Sequence, residues 1–297
     1  MKKVLVTGGS GFIGRHCLPL LAASSYEVHA VSIVPEDPQP YVHWHVMDLL
    51  SPPDVQKLIT KIQPTHLLHF SWYTVPGKYW TSSENLRWVQ ASLELLQAFS
   101  ASGGKRVVIA GTCAEYEWTQ SVYSEETSPL RPATLYGSCK HALQLMLEAF
   151  SKQTGLSSAW GRIFFLYGPY EHPGRLVSSV IRSLLKGEPA LCSHGNQIRD
   201  FLHVEDVASA FTALLESDLN GPVNIGSGKP VTIRETVETI GDLVQRKDLI
   251  QLCRLPASPN EPSQLLANIQ RLESTGWRPK YDLKSGLQQT IDWWRAQ

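Results

Sequence analysis

The chain has 297 residues, of which 42% are hydrophobic, so it is long enough for one large core or for two domains that share a face. Basic and acidic side chains number 27 each without a block of like charge, which argues against nucleic acid or a membrane surface as a partner. The first apolar run is too short for a signal peptide and the five cysteines are scattered, so we expect a cytoplasmic protein without a disulfide framework or a zinc site.

Short apolar runs rich in β-branched residues alternate with stretches of helical period from residue 2 onward. Strands are predicted at KKVLVTG, YEVHAVSI, HWHVMD, THLLHFS, RVVIAGT and SSAWGRIFF, and helices at residues 13–24, 52–63, 84–101 and 134–153. Several of these strand runs are apolar on both faces, which is typical of strands covered by helices on each side. The pattern predicts a doubly wound parallel α/β domain over residues 1–165.

The alternation loosens after about residue 165, where proline and glycine become more frequent. Helices are predicted at residues 174–186 and 232–246, separated by irregular segments. We expect a smaller mixed α/β domain over residues 166–297, with a segment at about 199–225 that returns to the first domain. The proline- and serine-rich run PASPNEPS at 256–263 predicts a surface loop.

The first predicted strand runs directly into TGGSGFIG, which places Gly8, Gly11 and Gly14 at the start of the first helix. Glycine at these positions permits a tight turn, close approach of a diphosphate to the main chain, and close packing of helix on strand. A lone glycine triplet is weak evidence, but the order strand, loop, helix predicts dinucleotide binding.

The end of the second strand bears on the choice of dinucleotide, because NAD sites commonly place an acidic residue there for the ribose 2′-hydroxyl. That position is Ser32, which would not repel a 2′-phosphate, and Arg15 after the last glycine could reach the same region. This combination favours NADPH. The alternative is that Arg15 is a solvated surface residue and that Asp37 serves the ribose of NAD. Asp48, after the third strand, is placed to meet the adenine edge or to cap the next helix.

Several ordered motifs resemble the extended short-chain dehydrogenase/reductases, the NAD(P)-dependent epimerase/dehydratase group that acts on nucleotide sugars. They are TGGSGFIG at 7–14, MDL at 47–49, GTCAEY at 111–116, YGSCK at 136–140, RIFFLYGP at 162–169, IRDFLHVEDVA at 198–208, VNIGSG at 223–228 and GWRP at 276–279. The resemblance covers nearly the whole chain. It implies a Rossmann-type doubly wound parallel sheet that binds NAD(P), followed by a nucleotide-sugar-binding domain.

The resemblance assigns a catalytic triad to Thr112, Tyr136 and Lys140, with the tyrosine as proton donor or acceptor. Tyrosine and lysine four residues apart are common on helices for packing reasons alone, and Thr112 alone could make a strand-end turn bond. A free phenol has a pKa of about 10, and an ammonium about 4 Å away would favour the phenolate by up to about 4 kcal/mol. We therefore expect Lys140 to lower the pKa of Tyr136 toward neutrality, where acid–base catalysis is most efficient.

The residues after Thr112 bear on the reaction, because family dehydratases resemble one another in having Asp-Glu there. This chain has Cys113 and Ala114, so dehydration is not expected, and Glu115 is a candidate substrate contact. Phe165 stands where 4-epimerases often have asparagine. We therefore predict NADPH-dependent reduction at C4 of an NDP-4-keto-6-deoxyhexose, in deoxysugar biosynthesis. The alternatives are an NAD-dependent NDP-sugar epimerase and, in a different class, a dinucleotide-binding or sensing protein without catalysis.

The resemblance also implies the remaining contacts. Arg199 matches the arginine that grips the substrate diphosphate, Arg175 is a second candidate, and Arg254 could replace an arginine that the late loop lacks. Their alternative roles are surface salt bridges. The expected dinucleotide contacts are Gly8, Gly11, Phe12, Ile13, Gly14, Arg15, Ser32, Asp48, Leu49, Phe70, Tyr136 and Lys140, and the expected substrate contacts are Cys113, Glu115, Phe165, Arg175 and Arg199. A homodimer through helices 84–101 and 134–153 is also expected.

Overall fold

The computed structural model describes residues 2–256 and 261–297. Its strands are β1 Lys3–Thr7, β2 Glu27–Ser32, β3 Val42–Val46, β4 His66–His69, β5 Arg106–Thr112, β6 Val122–Tyr123, β7 Ser157–Ile163, β8 Phe165–Tyr167, β9 Ala190–Leu191, β10 Ile198–His203, β11 Gly221–Ile225, β12 Pro230–Thr232, β13 Ile250–Gln251 and β14 Gln264–Ala267. Its α-helices are α1 Gly14–Ala23, α2 Pro52–Ile62, α3 Glu84–Ala101, α4 Leu135–Thr154, α5 Leu176–Leu185, α6 Val204–Glu216, α7 Ile233–Val244, α8 Gln270–Glu273 and α9 Leu283–Arg295.

A parallel sheet of seven strands, in the order β11-β7-β5-β4-β1-β2-β3, forms the centre of the molecule. Helices α1 and α6 pack on one face of this sheet, and α2, α3 and α4 pack on the other. Each predicted strand before residue 165 and each predicted helix coincides with an observed one, so the doubly wound α/β class is confirmed. The strand order reverses at β1, which opens a crevice for a ligand at the carboxyl ends of β1 and β4.

Helix α4 is fixed at both ends by its own sequence. The hydroxyl of Thr134 accepts a hydrogen bond from the backbone N–H of Gly137 at 3.1 Å and so caps the first turn. Gly155 ends the helix with φ of 75°, a left-handed conformation that glycine adopts without strain. Tyr136 and Lys140 therefore lie in the first two turns, beside the end of β5.

The second half of the chain, together with β6 from the first half, forms a smaller layer. Strands β12, β10, β14 and β6 form a mixed sheet with β8 paired to β10, and β9 pairs with β13. Helices α5, α7 and α9 enclose a separate apolar core. None of the helices within residues 2–256 and 261–297 has the length and apolar character needed to cross a membrane.

The segment after β10 returns to the first sheet. Helix α6 buries Val207 and Phe211 in the same core as α1, and β11 pairs in parallel with β7 from Gly221 to Ile225. Such a return was expected at about residues 199–225, while the domain boundaries themselves stay a prediction. Residues 257–260 of the predicted surface loop at 256–263 lie outside the described residues, and the other four residues are in neither a helix nor a strand.

Candidate active site

The glycine loop forms a cradle of bare backbone between β1 and α1. Gly8 has a left-handed φ of 66°, and its carbonyl oxygen accepts a hydrogen bond from the N–H of Gly11 at 3.0 Å. A Cβ atom on Gly14 would collide with that carbonyl, and one on Gly11 would lie only 3.0 Å from it. A side chain is thus excluded at Gly14 and disfavoured at Gly8 and Gly11, and this geometry fits a diphosphate held by backbone N–H groups and the start of α1.

The end of β2 carries a carboxylate that sequence reasoning missed. The buried Ser32 hydroxyl donates a hydrogen bond to Glu36 Oε1 at 2.9 Å, and Ser10 Oγ donates to Ser32 Oγ at 3.2 Å. The half-buried Glu36 therefore brings a carboxylate next to Ser32, the position aligned with the acidic residue of NAD sites, and Ser10 links this pair to the glycine loop. Its signal in the sequence is an acidic residue four positions past the strand, whereas Asp37, the alternative partner for the ribose, is exposed.

The side chain of Arg15 is bound to the glycine loop itself. Its guanidinium donates to the carbonyl oxygens of Ser10 and Gly11 and lies over the ring of Tyr170, with Cζ 3.9 Å from the ring centre. Since these contacts engage the guanidinium, the structure does not support the expected role of Arg15 beside Ser32.

The other expected dinucleotide contacts line the same crevice or its floor. Phe12 and Ile13 are half-buried within the loop, and Leu49 is buried after β3. Phe70 packs edge-to-face against Phe211, with ring centres 4.9 Å apart. Asp48 is exposed and accepts from the N–H of Leu50 at 2.9 Å, and Ser51 rather than Asp48 is the N-cap residue of α2.

The three expected catalytic residues lie together at the end of β5. Thr112 is the last residue of that strand, and its hydroxyl accepts from the N–H of Ala114 at 3.2 Å, so the turn bond weighed as an alternative does form. Tyr136 and Lys140 are both buried one helical turn apart. The ammonium of Lys140 donates to the carbonyl oxygen of Ala110 at 2.8 Å.

The electrostatics of this group differ from the expectation. Burial raises the pKa of Tyr136, and a hydrogen bond with the Thr112 hydroxyl only partly opposes this. Burial lowers the pKa of Lys140 to about 7, against the opposing charge of Glu115. The expected shift of the Tyr136 pKa toward neutrality by Lys140 is therefore not found: desolvation of the phenolate dominates, and Lys140 is not among the groups that lower this pKa.

An aromatic group from the segment between β4 and α3 covers the triad, and sequence reasoning missed it. Tyr79 and Trp80 meet the Tyr136 ring edge-to-face, with centres 4.9 Å and 5.8 Å away. Trp72 lies under the Lys140 ammonium, 3.7 Å from nitrogen to ring centre. The aromatic run SWYTVPGKYW at 71–80 was the available signal.

Glu115 does not serve as a substrate contact. It is completely buried, Oε1 accepts from the N–H of Thr112 and from Trp160 Nε1, both at 2.8 Å, and Oε2 binds Arg162 Nε at 2.7 Å. Both oxygens are thus engaged beneath the triad, and the expectation is corrected. The neighbouring Cys113 is also buried.

The two arginines expected to bind the substrate diphosphate lie in different surroundings. Arg199 is almost fully buried, donates to Glu261 Oε1 at 2.5 Å, and has its guanidinium carbon 5.3 Å from the Phe165 ring centre. Arg175 is exposed just before α5, with its guanidinium carbon 5.5 Å from the centre of the Tyr79 ring. Only Arg175 is thereby linked to the aromatic group over Tyr136. Arg254 is exposed and stays a prediction.

The described residues contain no group of three or more histidine, cysteine, aspartate or glutamate side chains able to hold a metal ion. All five cysteines lie in the described ranges and are free thiols. A glycine cradle at a sheet switch point, next to a buried threonine, tyrosine and lysine, defines a Rossmann-type enzyme that works on a bound dinucleotide.

The family follows from comparison with known proteins. A model of the NAD dependent epimerase/dehydratase family matches residues 4–226, and the chain belongs to that family. The chain is 27% identical over 310 residues to UDP-glucuronic acid decarboxylase 1 of Danio rerio. This alignment covers 100% of this chain and 73% of that protein.

Two solved structures share the fold over nearly their whole length. The Thermus thermophilus UDP-glucose 4-epimerase in complex with NAD is 28% identical with a TM-score of 0.85, covering 99% of each chain. The UDP-N-acetylglucosamine 4-epimerase of Methanobrevibacter ruminantium, in complex with UDP-N-acetylmuramic acid, is 27% identical with a TM-score of 0.88, covering 99% of this chain and 98% of that one.

Proposed function

We propose that this chain is an NAD-dependent epimerase of a nucleotide-diphosphate sugar. The observation that carries the proposal is the hydrogen bond from Ser32 to the Glu36 carboxylate at the end of β2. A carboxylate there accepts from a ribose 2′-hydroxyl and repels a 2′-phosphate, so it favours NAD over NADP. An epimerase regenerates its dinucleotide in each turnover, and the 4-epimerase relatives named above agree with this reaction.

The residues of the triad take complementary roles in this proposal. Bound NAD would supply the hydride acceptor, and later the hydride donor, at the sugar carbon that is inverted. Tyr136 takes the proton from the sugar hydroxyl and returns it to the alkoxide, while the Thr112 hydroxyl donates to the same oxygen. Lys140 supplies a positive charge that stabilises the phenolate formed in the first half of the reaction. The candidates for the substrate diphosphate stay Arg199, which is nearly buried and paired with Glu261, and Arg175, which is exposed beside the Tyr79 ring.

The predicted NADPH-dependent 4-keto reductase is the second candidate. Phe165 favours it, because 4-epimerases often carry asparagine at this position, and here the ring packs against Phe201 with centres 5.8 Å apart. The two residues that favoured NADPH, Ser32 and Arg15, support the reductase less well in the structure. Ser32 is paired with a carboxylate, and Arg15 is bound to the glycine loop.

The test begins with the protein as purified. We expect acid extraction to release NAD, and we expect incubation with UDP-glucose or UDP-glucuronic acid to produce the 4-epimer, detected by chromatography. Tyr136→Phe should retain the dinucleotide and lose the conversion. Stoichiometric oxidation of NADPH by an NDP-4-keto-6-deoxyhexose would instead establish the reductase. If neither conversion occurs and Tyr136→Phe binds dinucleotide as before, the chain is a non-catalytic binding protein.

We also propose a homodimer formed through α3 and α4. Both helices expose large apolar side chains: Leu86 is 57% exposed on α3, and Leu145 is 52% exposed on α4. Exposed apolar groups on two long neighbouring helices are typical of a surface that a second copy covers. A cytoplasmic location stays a prediction.

A further inference from the structure

The ammonium of Lys140 is held between a carbonyl oxygen and an aromatic face. It lies 2.8 Å from the oxygen of Ala110 and 3.7 Å from the centre of the Trp72 ring, whereas the ring centre of Trp160 is 6.0 Å away. Lys140 is only 3% exposed, so water contributes little to the solvation of its charge. The Trp72 face is thus the nearest aromatic surface to the charge.

Trp72 is itself fixed by a buried amide. Its indole N–H donates to Asn85 Oδ1 at 2.8 Å. The Asn85 side-chain N–H groups donate to the carbonyl oxygens of Tyr79 at 2.7 Å and Ser82 at 2.8 Å, and Asn85 is completely buried. One buried amide therefore ties the start of α3 to the aromatic segment at residues 71–80 and holds the indole N–H of Trp72.

A buried ammonium keeps its proton only where negative charge or dipoles replace water. Glu115 is the carboxylate whose charge favours protonated Lys140, and both of its oxygens are already engaged by other donors. His69, on the adjacent strand β4, is buried with its pKa lowered to about 3 and adds no positive charge at neutral pH. The groups that directly solvate the ammonium are therefore the carbonyl of Ala110 and the π face of Trp72.

We propose that Trp72 is a positioning residue for Lys140: its indole face, held by Asn85, stabilises the charged form of the buried ammonium and fixes it beside Ala110 near the end of β5. This rests on the proposed function, in which the charge of Lys140 stabilises the Tyr136 phenolate. Packing alone would require only an apolar side chain of suitable size at position 72. The proposal instead requires the negative electrostatic potential of an aromatic face.

Fluorinated tryptophans separate these two requirements, because fluorine on the six-membered ring withdraws π density with little change of size. Tryptophan bearing one, two and three fluorines is introduced at position 72 alone by codon suppression. The Lys140 titration is then followed by NMR of ¹³Cε-labelled lysine in the ligand-free protein, with the resonance assigned by Lys140→Met. We expect the Lys140 pKa to fall stepwise, by about one pH unit across the series. A pKa that does not change with fluorination overturns the proposal.

The same substitutions at Trp88 provide the matched control. Trp88 lies beside Trp72, with ring centres 6.4 Å apart, but in the described part of the chain the rings over the Lys140 ammonium are those of Trp72 and Trp160, so fluorination of Trp88 should leave the Lys140 titration unchanged. Since activity requires the charged lysine, the alkaline limb of the kcat profile should move to lower pH with the Trp72 series only. The NMR titration needs no substrate, so absence of epimerisation would contradict the proposed function and leave the Trp72 contact tested separately.

Discussion

Glu115 and Arg162 form an ion pair of 2.7 Å in which both side chains are completely buried. The second oxygen of Glu115 holds the N–H of Thr112, and Arg162 Nη1 donates to the Tyr116 hydroxyl at 3.2 Å. The pair therefore supports the end of β5 from beneath, where Thr112 faces Tyr136. Its role is to hold the strand end in place, and it does so without contact to solvent.

Glu115→Gln should strongly destabilise the protein, because it leaves the Arg162 guanidinium buried without a counter-charge. We expect a loss of about 3–5 kcal/mol in the free energy of unfolding, measured by urea denaturation. The matched control is Glu126→Gln, since Glu126 pairs with Arg271 at 3.7 Å and is mostly exposed, and its loss should stay below about 1 kcal/mol. Equal effects of the two changes would show that the buried pair contributes nothing beyond a surface pair.

Glu36→Gln should reduce the preference for NAD. The variant removes the negative charge beside Ser32, so NAD binding should weaken by about tenfold and NADP binding should improve. Isothermal titration with both dinucleotides measures this. Asp37→Asn is the control, because Asp37 is exposed and has no assigned contact with Ser32. A larger effect at Asp37 than at Glu36 would restore the alternative in which Asp37 serves the ribose.

The sequence predicted the doubly wound sheet and the glycine loop because these depend on local signals, namely strand-to-helix alternation and glycine spacing. Glu36 was missed because its position depends on the path of the irregular loop after β2. The triad residues were named correctly as neighbours, yet the pKa directions were not predictable, since burial of Tyr136 and Lys140 depends on the aromatic segment that folds over them from another part of the chain.

Tyr136→Phe should lower kcat by at least about 10²-fold with little change in KM, because it removes the proton acceptor and leaves the ring packing against Tyr79. Initial rates of epimer formation at saturating substrate provide the measurement. Tyr281→Phe is the control, since its hydroxyl donates to Glu205 in the second half of the chain and should not affect kcat. Full activity in Tyr136→Phe would remove the phenol from the mechanism.

Lys140→Met should stabilise the ligand-free protein while abolishing turnover. Burial lowers the Lys140 pKa to about 7 from 10.5, so between these values the unfolded chain binds more protons than the folded one. The burial of Lys140 therefore costs no stability above pH 10.5, where the amine is neutral in both states. The cost grows as pH falls from 10.5 to 7 and is complete below pH 7. The variant's gain, on the order of 1–4 kcal/mol, should be largest near pH 7 and shrink toward pH 10.

Urea denaturation at several pH values measures this gain. Lys152→Met on the same helix is the control, because Lys152 is 75% exposed and its removal should not alter the slope of stability between pH 7 and pH 10. Parallel stability curves for the parent protein and Lys140→Met would mean that Lys140 keeps its ordinary pKa in the folded state.

Leu145→Glu should convert the proposed dimer into a monomer. A stable dimer commonly buries about 800 Å² per partner, and a charge buried in such an apolar surface would be desolvated without a partner. Sedimentation velocity should show the parent at twice the monomer mass and the variant at the monomer mass. Leu191→Glu is the control, because Leu191 is similarly exposed at 49% but lies on β9, away from α3 and α4. If Leu191→Glu dissociates the dimer and Leu145→Glu does not, the interface lies on the second half of the chain.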